Sequence, residues 1–500
     1  MNRTTRFSKS QPDFFERVSD FYPVVLWLLV IAAVFVVVTG LPALISRITC
    51  PFEVAQTEPE IVQKSLDVLH GKPFFGDYHK GEPILYDNGS LVFFVLQVFA
   101  MKGLGGIWLP GRLVAFSSYV GSVILLIFWG IKRWNPLWTA LAVAFLLLSP
   151  TWAFWSTIVR ADTLMLFFNF SCLILVGWEP DERDSRKASS EHRWRLAAAG
   201  FLNALALLIK ISAGTVTAGI FFFLLIRKKW PSLVIFLTCS VLTAALVTIF
   251  FQWYSRGISS SFGFGLPTGF HFELFFYFLR NSFLPESAWL VGAVSAAYLS
   301  GRMPLLWKCQ MLFSFLWLFS LGVENGAENY YMEFILFGIA AVGETFGKPL
   351  KKSQTDMKVL PWVFLVSLLF VLGFFQMTRL PWPQPPSPEV RAMKSEVLAI
   401  YKLPGEHLAV DEDLPLMAGK RVWLQFHGYR ELVDAGRLDP KVLSNEIKNR
   451  FFTTIELYDT PQQNFLPDET VREIKDNYEV RIRKFGRVWL FPKIVPETKG

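Results

Sequence analysis

The chain has 500 residues, of which 52% are hydrophobic, 16% aromatic and only 18% charged. A soluble domain is about a quarter charged and lacks apolar runs near 20 residues long; here such runs recur, at Pro23–Ile45, Pro231–Phe251 and Leu360–Met377, which excludes a soluble globular chain. The formal net charge of +8 lies between the apolar runs rather than in one basic stripe, which excludes a nucleic-acid binder. The four scattered cysteines, Cys50, Cys172, Cys239 and Cys309, form neither a disulfide framework nor a metal spacing.

The N-terminus is polar up to Asp20, and the first apolar run is too long for a signal peptide and lacks a small-residue cleavage site. It is read as a retained helix. Arg3, Arg6, Lys9 and Arg17 precede it and place the N-terminus on the cytoplasmic side. Later basic clusters fall at Lys132-Arg133, Arg183 to Arg195, Arg227 to Lys229, Arg302 with Lys308, and Lys348 to Lys358. Keeping them all inside predicts about eleven spans, near 23–45, 110–131, 136–155, 162–178, 195–209, 211–226, 231–252, 285–300, 309–322, 330–346 and 360–378. An odd number puts everything after Arg379 outside.

Residues 46–109 form the first outer loop on this scheme. Glu53 and Glu58 begin an expected surface helix there, and Ser90–Met101 is apolar but too short to span, so it is read as a re-entrant or surface helix. The stretch 195–226 is read as two helices meeting at Lys210, the alternative being one long span with Lys210 near its middle. After Pro381-Trp382-Pro383-Gln384-Pro385-Pro386, a stiff linker, the pattern changes. A strand-like run at Leu408–Val410 leads to helices at Tyr429–Ala435 and Lys441–Asn449. A strand at Phe452–Leu457, a helix at Glu469–Asn477 and a strand pair at Tyr478–Arg483 and Val488–Pro492 complete it. The expected fold is an α-helical polytopic membrane module, 1–379, with a small C-terminal α/β periplasmic domain, 380–500.

Ionisable residues at membrane depth or on outer loops are functional candidates. The outer side collects Glu53, Glu58, Tyr86-Asp87, Arg112, Arg160, Asp162, Lys210, His271 and Glu273. Glu324, Glu328 and Glu333 lie there too, around Asn329-Tyr330-Tyr331. Acids and bases on one face suit chemistry with a phosphate leaving group. A carboxylate can take the proton of an acceptor hydroxyl, and fixed cations can hold the phosphate as its charge grows. Each residue also has a structural role open to it. The two loop acids can complement a helix N-terminus, Asp162 can cap a helix or pair with Arg160, and Lys210 can snorkel. Arg112 can be an interfacial anchor, His271 a packing residue and Asn329-Tyr330-Tyr331 part of an aromatic belt.

In order along the chain come Pro51-Phe52-Glu53 with Glu58, then Gly71-Lys72-Pro73-Phe74-Phe75, Gly111-Arg112-Leu113 and Ser149-Pro150. Arg160-Ala161-Asp162, Lys210 in an apolar run, and Asn329-Tyr330-Tyr331-Met332-Glu333 follow. This order resembles the type C glycosyltransferases, and within them the bacterial relatives of protein O-mannosyltransferases and lipid A aminoarabinose transferases. The resemblance covers most of residues 20–380. It implies inverting transfer of a sugar from a polyprenyl-phosphate donor to a hydroxyl of a glycan, lipid or protein, in the bacterial inner membrane, with a divalent metal allowed. It also implies a first-loop acid as base, Glu53 or Glu58. Arg160, Lys210 and Arg112 would bind the donor phosphate, with Asp162, Tyr86, Asp87, His271, Asn329, Tyr330 and Glu333 contacting or supporting substrate. Two positions depart from the pattern: glutamate replaces the usual aspartate in the loop, and Tyr86-Asp87-Asn88 stands where a Tyr-Pro-Pro-like element is usual. A transporter or flippase of lipid-linked sugars, and a sensor or scaffold with the tail as binding module, are the competing readings.

Overall fold

The computed structural model describes residues 14–55, 58–72, 90–178, 185–254, 269–323, 327–348, 360–434, 436, 438–460 and 466–494. The N-terminal three-quarters is helical. The long α1 (Phe14–Ile48) is followed by α2 (Glu58–Leu69), α3 (Leu91–Leu104), α4 (Leu109–Arg133), α5 (Pro136–Leu148), α6 (Pro150–Trp155) and α7 (Asp162–Gly177). Then come α8 (Ser185–Ile209), α9 (Gly214–Ile226), α10 (Trp230–Tyr254), α11 (Phe272–Phe278), α12 (Leu284–Leu299), α13 (Leu305–Trp317), α14 (Met332–Phe346) and α15 (Leu360–Met377).

Every stretch expected to span is helical, with a break at Ser149-Pro150 inside the expected 136–155 span. Among the described residues, Pro23–Ile48, Leu109–Arg133, Trp230–Phe250 and Leu305–Gly322 are long and apolar enough to cross a membrane. The other apolar helices are shorter. Leu28, Ile31 and Phe35 on α1, and Val234, Val241 and Leu246 on α10, turn more than half of their surface outward. An apolar band of this kind needs lipid as its solvent. At Lys210 the backbone is extended (φ −157°, ψ 137°), so α8 ends there and a 3-10 turn, Ile211–Ala213, leads into α9. That interruption agrees with two helices rather than one.

The C-terminal part adds α16 (Pro388–Tyr401), β1 (Glu406–Leu408), α17 (Asp413–Met417), α18 (Phe426–Asp434), α19 (Lys441–Lys448), β2 (Phe452–Tyr458), α20 (Asp468–Asn477), β3 (Tyr478–Lys484) and β4 (Arg487–Pro492). The strands form one sheet in the order β1-β2-β4-β3, with β1 and β2 parallel and the other pairs antiparallel. Phe485 (φ 53°) and Gly486 (φ 69°) close the β3–β4 hairpin, both in the left-handed region that a two-residue turn of matching twist requires. Leu408, Tyr429, Ile447, Ile455, Ile474 and Leu490 make this part's own core. Leu416 and Val422 belong instead to the core of the helical part, so the tail packs directly on it.

Three differences from the sequence reading have physical causes. The helix α16 starts at a Ser387 cap, whose side chain accepts from Val390 N, with Pro388 at its first position; the preceding proline run masks this signal. The short α17 carries too little periodicity to be seen. The expected surface helix α2 is not on the surface: from Glu58 to Asp67 every residue but Leu66 is buried, because α3 and Arg112 pack on it from the helical part and Arg421 and Val422 of the tail meet it from the other side.

Close approach sets the start of α4. A Cβ on Gly111 would lie 2.5 Å from Val159 Cγ1 and 2.9 Å from Gln97 Nε2. We expect Gly111→Ala to displace the 156–161 segment or α3 and to lower stability by about 1–3 kcal/mol. Thermal unfolding in detergent checks this against Gly103→Ala on α3, where a Cβ meets nothing within 4 Å.

Candidate functional site

The site begins with a buried ion pair. Arg112 and Glu58 are both fully enclosed. Arg112 Nε donates to Glu58 Oε1 (2.8 Å), and Nη2 donates to Glu58 Oε2 (2.8 Å) and to Phe52 O (2.7 Å). Its Nη1 donates to Cys50 O (2.6 Å) and Arg47 O (3.1 Å). Arginine has five N–H donors, and all are used here. Glu58 accepts two more bonds, from Val54 N (2.7 Å) and Val159 N (2.8 Å). The pair therefore joins the end of α1, the 50–54 turn, the start of α2, the start of α4 and the segment before Arg160. Both side chains are enclosed among the described residues, where the expectation was that Arg112 binds phosphate and that Glu58 competes for the role of base.

One residue past Val159 lies a small pocket with charged and apolar side chains in its lining. Arg160, Asp162 and Lys210 line it, together with Glu60 and Lys64 of α2 and the apolar Ile61 and Phe94. Lys210 Nζ donates to Asp162 Oδ1 at 2.8 Å, and Arg160 Nε donates to Asp162 Oδ2 at 3.4 Å. Asn329 Nδ2 also donates to Asp162 Oδ1, at 2.8 Å. The Tyr330 ring lies under the Lys210 ammonium, 4.5 Å from its centroid. The structure thus brings Arg160, Asp162, Lys210, Asn329 and Tyr330 into one group. Glu60 and Lys64 were not singled out from sequence. The i, i+4 spacing that sets them on one face of α2 was the available signal.

The run Asn329 to Glu333 spreads over several helices. Tyr331 hydroxyl donates to Glu286 Oε2 (3.2 Å), which also accepts from Thr151 Oγ1 (2.5 Å), while Ser149 Oγ donates to Glu286 Oε1. Trp152 Nε1 donates to Met332 O (3.1 Å). Glu333 accepts from Thr215 Oγ1 (2.8 Å), Ser314 Oγ (2.8 Å) and Gln310 Nε2 (3.1 Å). Glu286 and Glu333 are buried and saturated with donors, so both act in holding helices together. Glu286 is a second carboxylate that sequence reading passed over, although an acid beside an apolar run is the ordinary signal.

The tail roofs the first loop. Lys394 Nζ donates to Glu53 Oε1 (3.1 Å) and Asp413 Oδ2 (2.8 Å). Burial, the neighbouring Asp413 and Asp411 push the Glu53 carboxyl well above its usual range, and Lys394 only partly offsets this. Asp413 is raised by burial. Glu412 is raised by burial and by Glu60, Glu53 and Asp413 around it. Burial alone would lower the Lys394 ammonium, but Glu53, Asp413 and Asp411 hold it above its ordinary value. Within the tail, burial next to Asp411 takes Glu456 up to about 8.

His271 and Glu273 are exposed at the start of α11. Glu328 meets Ser282 Oγ at 3.4 Å. Tyr86, Asp87 and Glu324 lie outside the described residues. Among the described residues no group of three or more His, Cys, Asp or Glu is placed to hold a metal ion.

Two outcomes follow from these geometries. Arg112→Ala leaves a buried carboxylate without its partner and should lower stability by roughly 3–5 kcal/mol. Arg112→Lys, with three donors for five acceptors, should recover only part of this in thermal unfolding. The second concerns pH. A carboxyl raised on folding contributes stability that is complete below its unfolded value, about 4.3 for glutamate, and is lost as pH rises through its folded value. Glu53, Glu412 and Asp413 are raised, and Glu456 reaches about 8. The tail should therefore melt earlier as pH rises from 5 towards 9, and Glu456→Gln should flatten that profile. A profile that rises with pH contradicts this assignment.

No protein-family model matches the chain, and no curated protein matches its sequence. Solved structures do resemble it. ArnT from Cupriavidus metallidurans bound to undecaprenyl phosphate superposes with a TM-score of 0.58 at 14% identity, over 91% of this chain and 97% of that one. The apo form of the same protein gives 0.56, also at 14% identity and the same coverage. The Archaeoglobus fulgidus oligosaccharyltransferase reaches 0.49 at 10% identity, over 92% of this chain and 73% of that one. The likeness to ArnT extends over nearly the whole of both chains, and the protein shares the fold of that structure.

Proposed function

We propose that this chain moves a sugar from a polyprenyl-phosphate donor to a hydroxyl acceptor at the outer face of the membrane. The observation that carries this reading is the pocket at the ends of apolar helices, in which Arg160 and Lys210 stand beside carboxylates. The bound undecaprenyl phosphate in ArnT, which has this fold, supports a lipid phosphate as the ligand. Asp162, Asn329 and the Tyr330 ring fix the Lys210 ammonium, and arginine offers a planar fork that matches phosphate oxygens.

In the reaction the acceptor oxygen attacks the anomeric carbon from the side opposite the phosphate. The carbon–oxygen bond to the phosphate breaks, and its electron pair stays on the phosphate oxygen. A carboxylate takes the hydroxyl proton, and the configuration inverts. Two first-loop acids compete for this role. Glu53 is held under the tail by Lys394, whereas Glu60 lines the cation pocket itself. Geometry favours Glu60.

We place residues 1–379 in the inner membrane as the transferase module and 380–500 outside as an α/β domain. The length of α4 supports this arrangement. Its 25 residues extend about 37 Å, with Arg112 near one end and Arg133, which pairs with Glu344, at the other. Basic residues at the end remote from the pocket fit a cytoplasmic surface there.

Sugar release from a labelled polyprenyl-phosphate sugar tests the activity. Arg160→Ala and Lys210→Ala should each weaken donor binding, and Lys210→Arg should rescue it in part; unchanged affinity in both alanine variants removes the phosphate site. Glu60→Gln should slow transfer by on the order of 10²–10⁴ with binding retained. If Glu53→Gln is inactive while Glu60→Gln turns over normally, the base is Glu53. For topology, cysteines at Ser189 and at the exposed Ser395, in a background without native cysteines, should label from outside only at 395. Labelling at 189 alone reverses the orientation.

A further inference from the structure

The pocket's formal charges do not favour an anion unless Lys64 is counted. Arg160 and Lys210 bring two positive charges, but both contact Asp162, and Glu60 also faces the pocket. Two cations and two carboxylates sum to zero. Lys64 lines the same pocket and is 7% exposed; it makes the sum positive by one. The reaction adds one negative charge to the carrier, since a phosphodiester with one charge leaves as a phosphomonoester with two. Glu60, as the proposed base, becomes neutral when it takes the hydroxyl proton, so the lining stands at plus one without Lys64 and plus two with it; Lys64 supplies the cation that matches the second phosphate charge.

The helix α2 has a second face that fixes Lys64. Gln63 Oε1 accepts from Val422 N of the tail (2.9 Å), and Gln63 Nε2 donates to Asp67 Oδ1 (3.1 Å). Asp67 in turn pairs with Arg421 of the tail at 3.4 Å. The spacings 60/64 and 63/67 are each one helical turn, so one face meets the pocket and the neighbouring face meets the tail.

We propose that Lys64 is a third contact for the departing phosphate, and that the tail segment Arg421-Val422 positions it through Gln63 and Asp67. This rests on the polyprenyl-phosphate reading of the pocket. The test uses the full chain in detergent and two lipids, undecaprenyl phosphate and its methyl ester, a phosphodiester with one charge. Wild type should prefer the monoester. Lys64→Met should weaken monoester binding by on the order of tenfold, the size of one charge-assisted contact, and affect the diester much less, while Lys64→Arg keeps the preference. Gln63→Leu should reduce the preference with Lys64 intact. Equal losses for both lipids in Lys64→Met make the residue structural and overturn the proposal. Unchanged preference in Gln63→Leu overturns its tail half. Should Lys64→Met fail to fold, Lys64→Gln must lose the preference that Lys64→Arg retains. A wild type that binds neither lipid sinks the pocket reading itself. Loss in Arg160→Ala but none in Lys64→Met sinks this inference alone.

Discussion

The Arg112–Glu58 pair is the constraint on which the site depends. A buried ion pair by itself is a poor source of stability, because desolvating two charges costs several kcal/mol each. Here that cost is offset by hydrogen bonds beyond the pair. Three backbone carbonyls use the remaining guanidinium donors, and two backbone amides bond to the carboxylate. The pair thus ends α1, turns the chain at residues 50–54, starts α2 and fixes Val159 in one network. Gly111 is the companion requirement, since only a residue without a Cβ lets the start of α4 come so close to Val159 and Gln97.

The pocket follows from that network. With Val159 bonded to Glu58, Arg160 and Asp162 come next in the chain and face α2. Lys210 reaches Asp162 because the helix stops at residue 209 and the backbone becomes extended. Asn329 and Tyr330 arrive from a third part of the chain to complete the surroundings of the same carboxylate and ammonium. Asp162 is therefore an organiser of two cations. Its three donors leave it poorly suited to be a base, which shifts attention to the acids of the first loop.

Much of the fold was legible because its signals are local. Apolar runs marked the helices, the alternation of basic loops favoured two helices meeting at Lys210, and strand-like runs marked the strands of the tail. The grouping of Arg160, Asp162, Lys210 and Asn329 was legible as charge on one face of a membrane module. What was not legible depends on distant partners. Arg112 looked like an interfacial anchor or a phosphate ligand because its partner Glu58 is 54 residues away. The helix α2 looked solvated because Glu60, Gln63, Lys64 and Asp67 are polar. Each of these has a place in the pocket or against the tail, and nothing in the local pattern distinguishes that from water. Glu53 meets its cation, Lys394, across 341 residues.

The tail is better understood as part of the site than as an appended module. Its contact with the first loop places one lysine, Lys394, between Glu53 and Asp413, with Glu412 and Asp411 close by. Such an excess of carboxyls is costly to bury, and a module used only to recruit partners would gain nothing from burying it. Leu416 and Val422 insert into the core of the helical part, and Val422 also bonds to α2 through its backbone. Those contacts offset the electrostatic cost and hold the helix that carries Glu60 and Lys64. A pocket whose wall is fixed from outside the membrane module gains a fixed orientation for its acids and cations without crowding more charge between the lipid-facing helices. That arrangement fits the proposed transfer site, completed by the tail, better than a scaffold, whose two parts would need no shared wall.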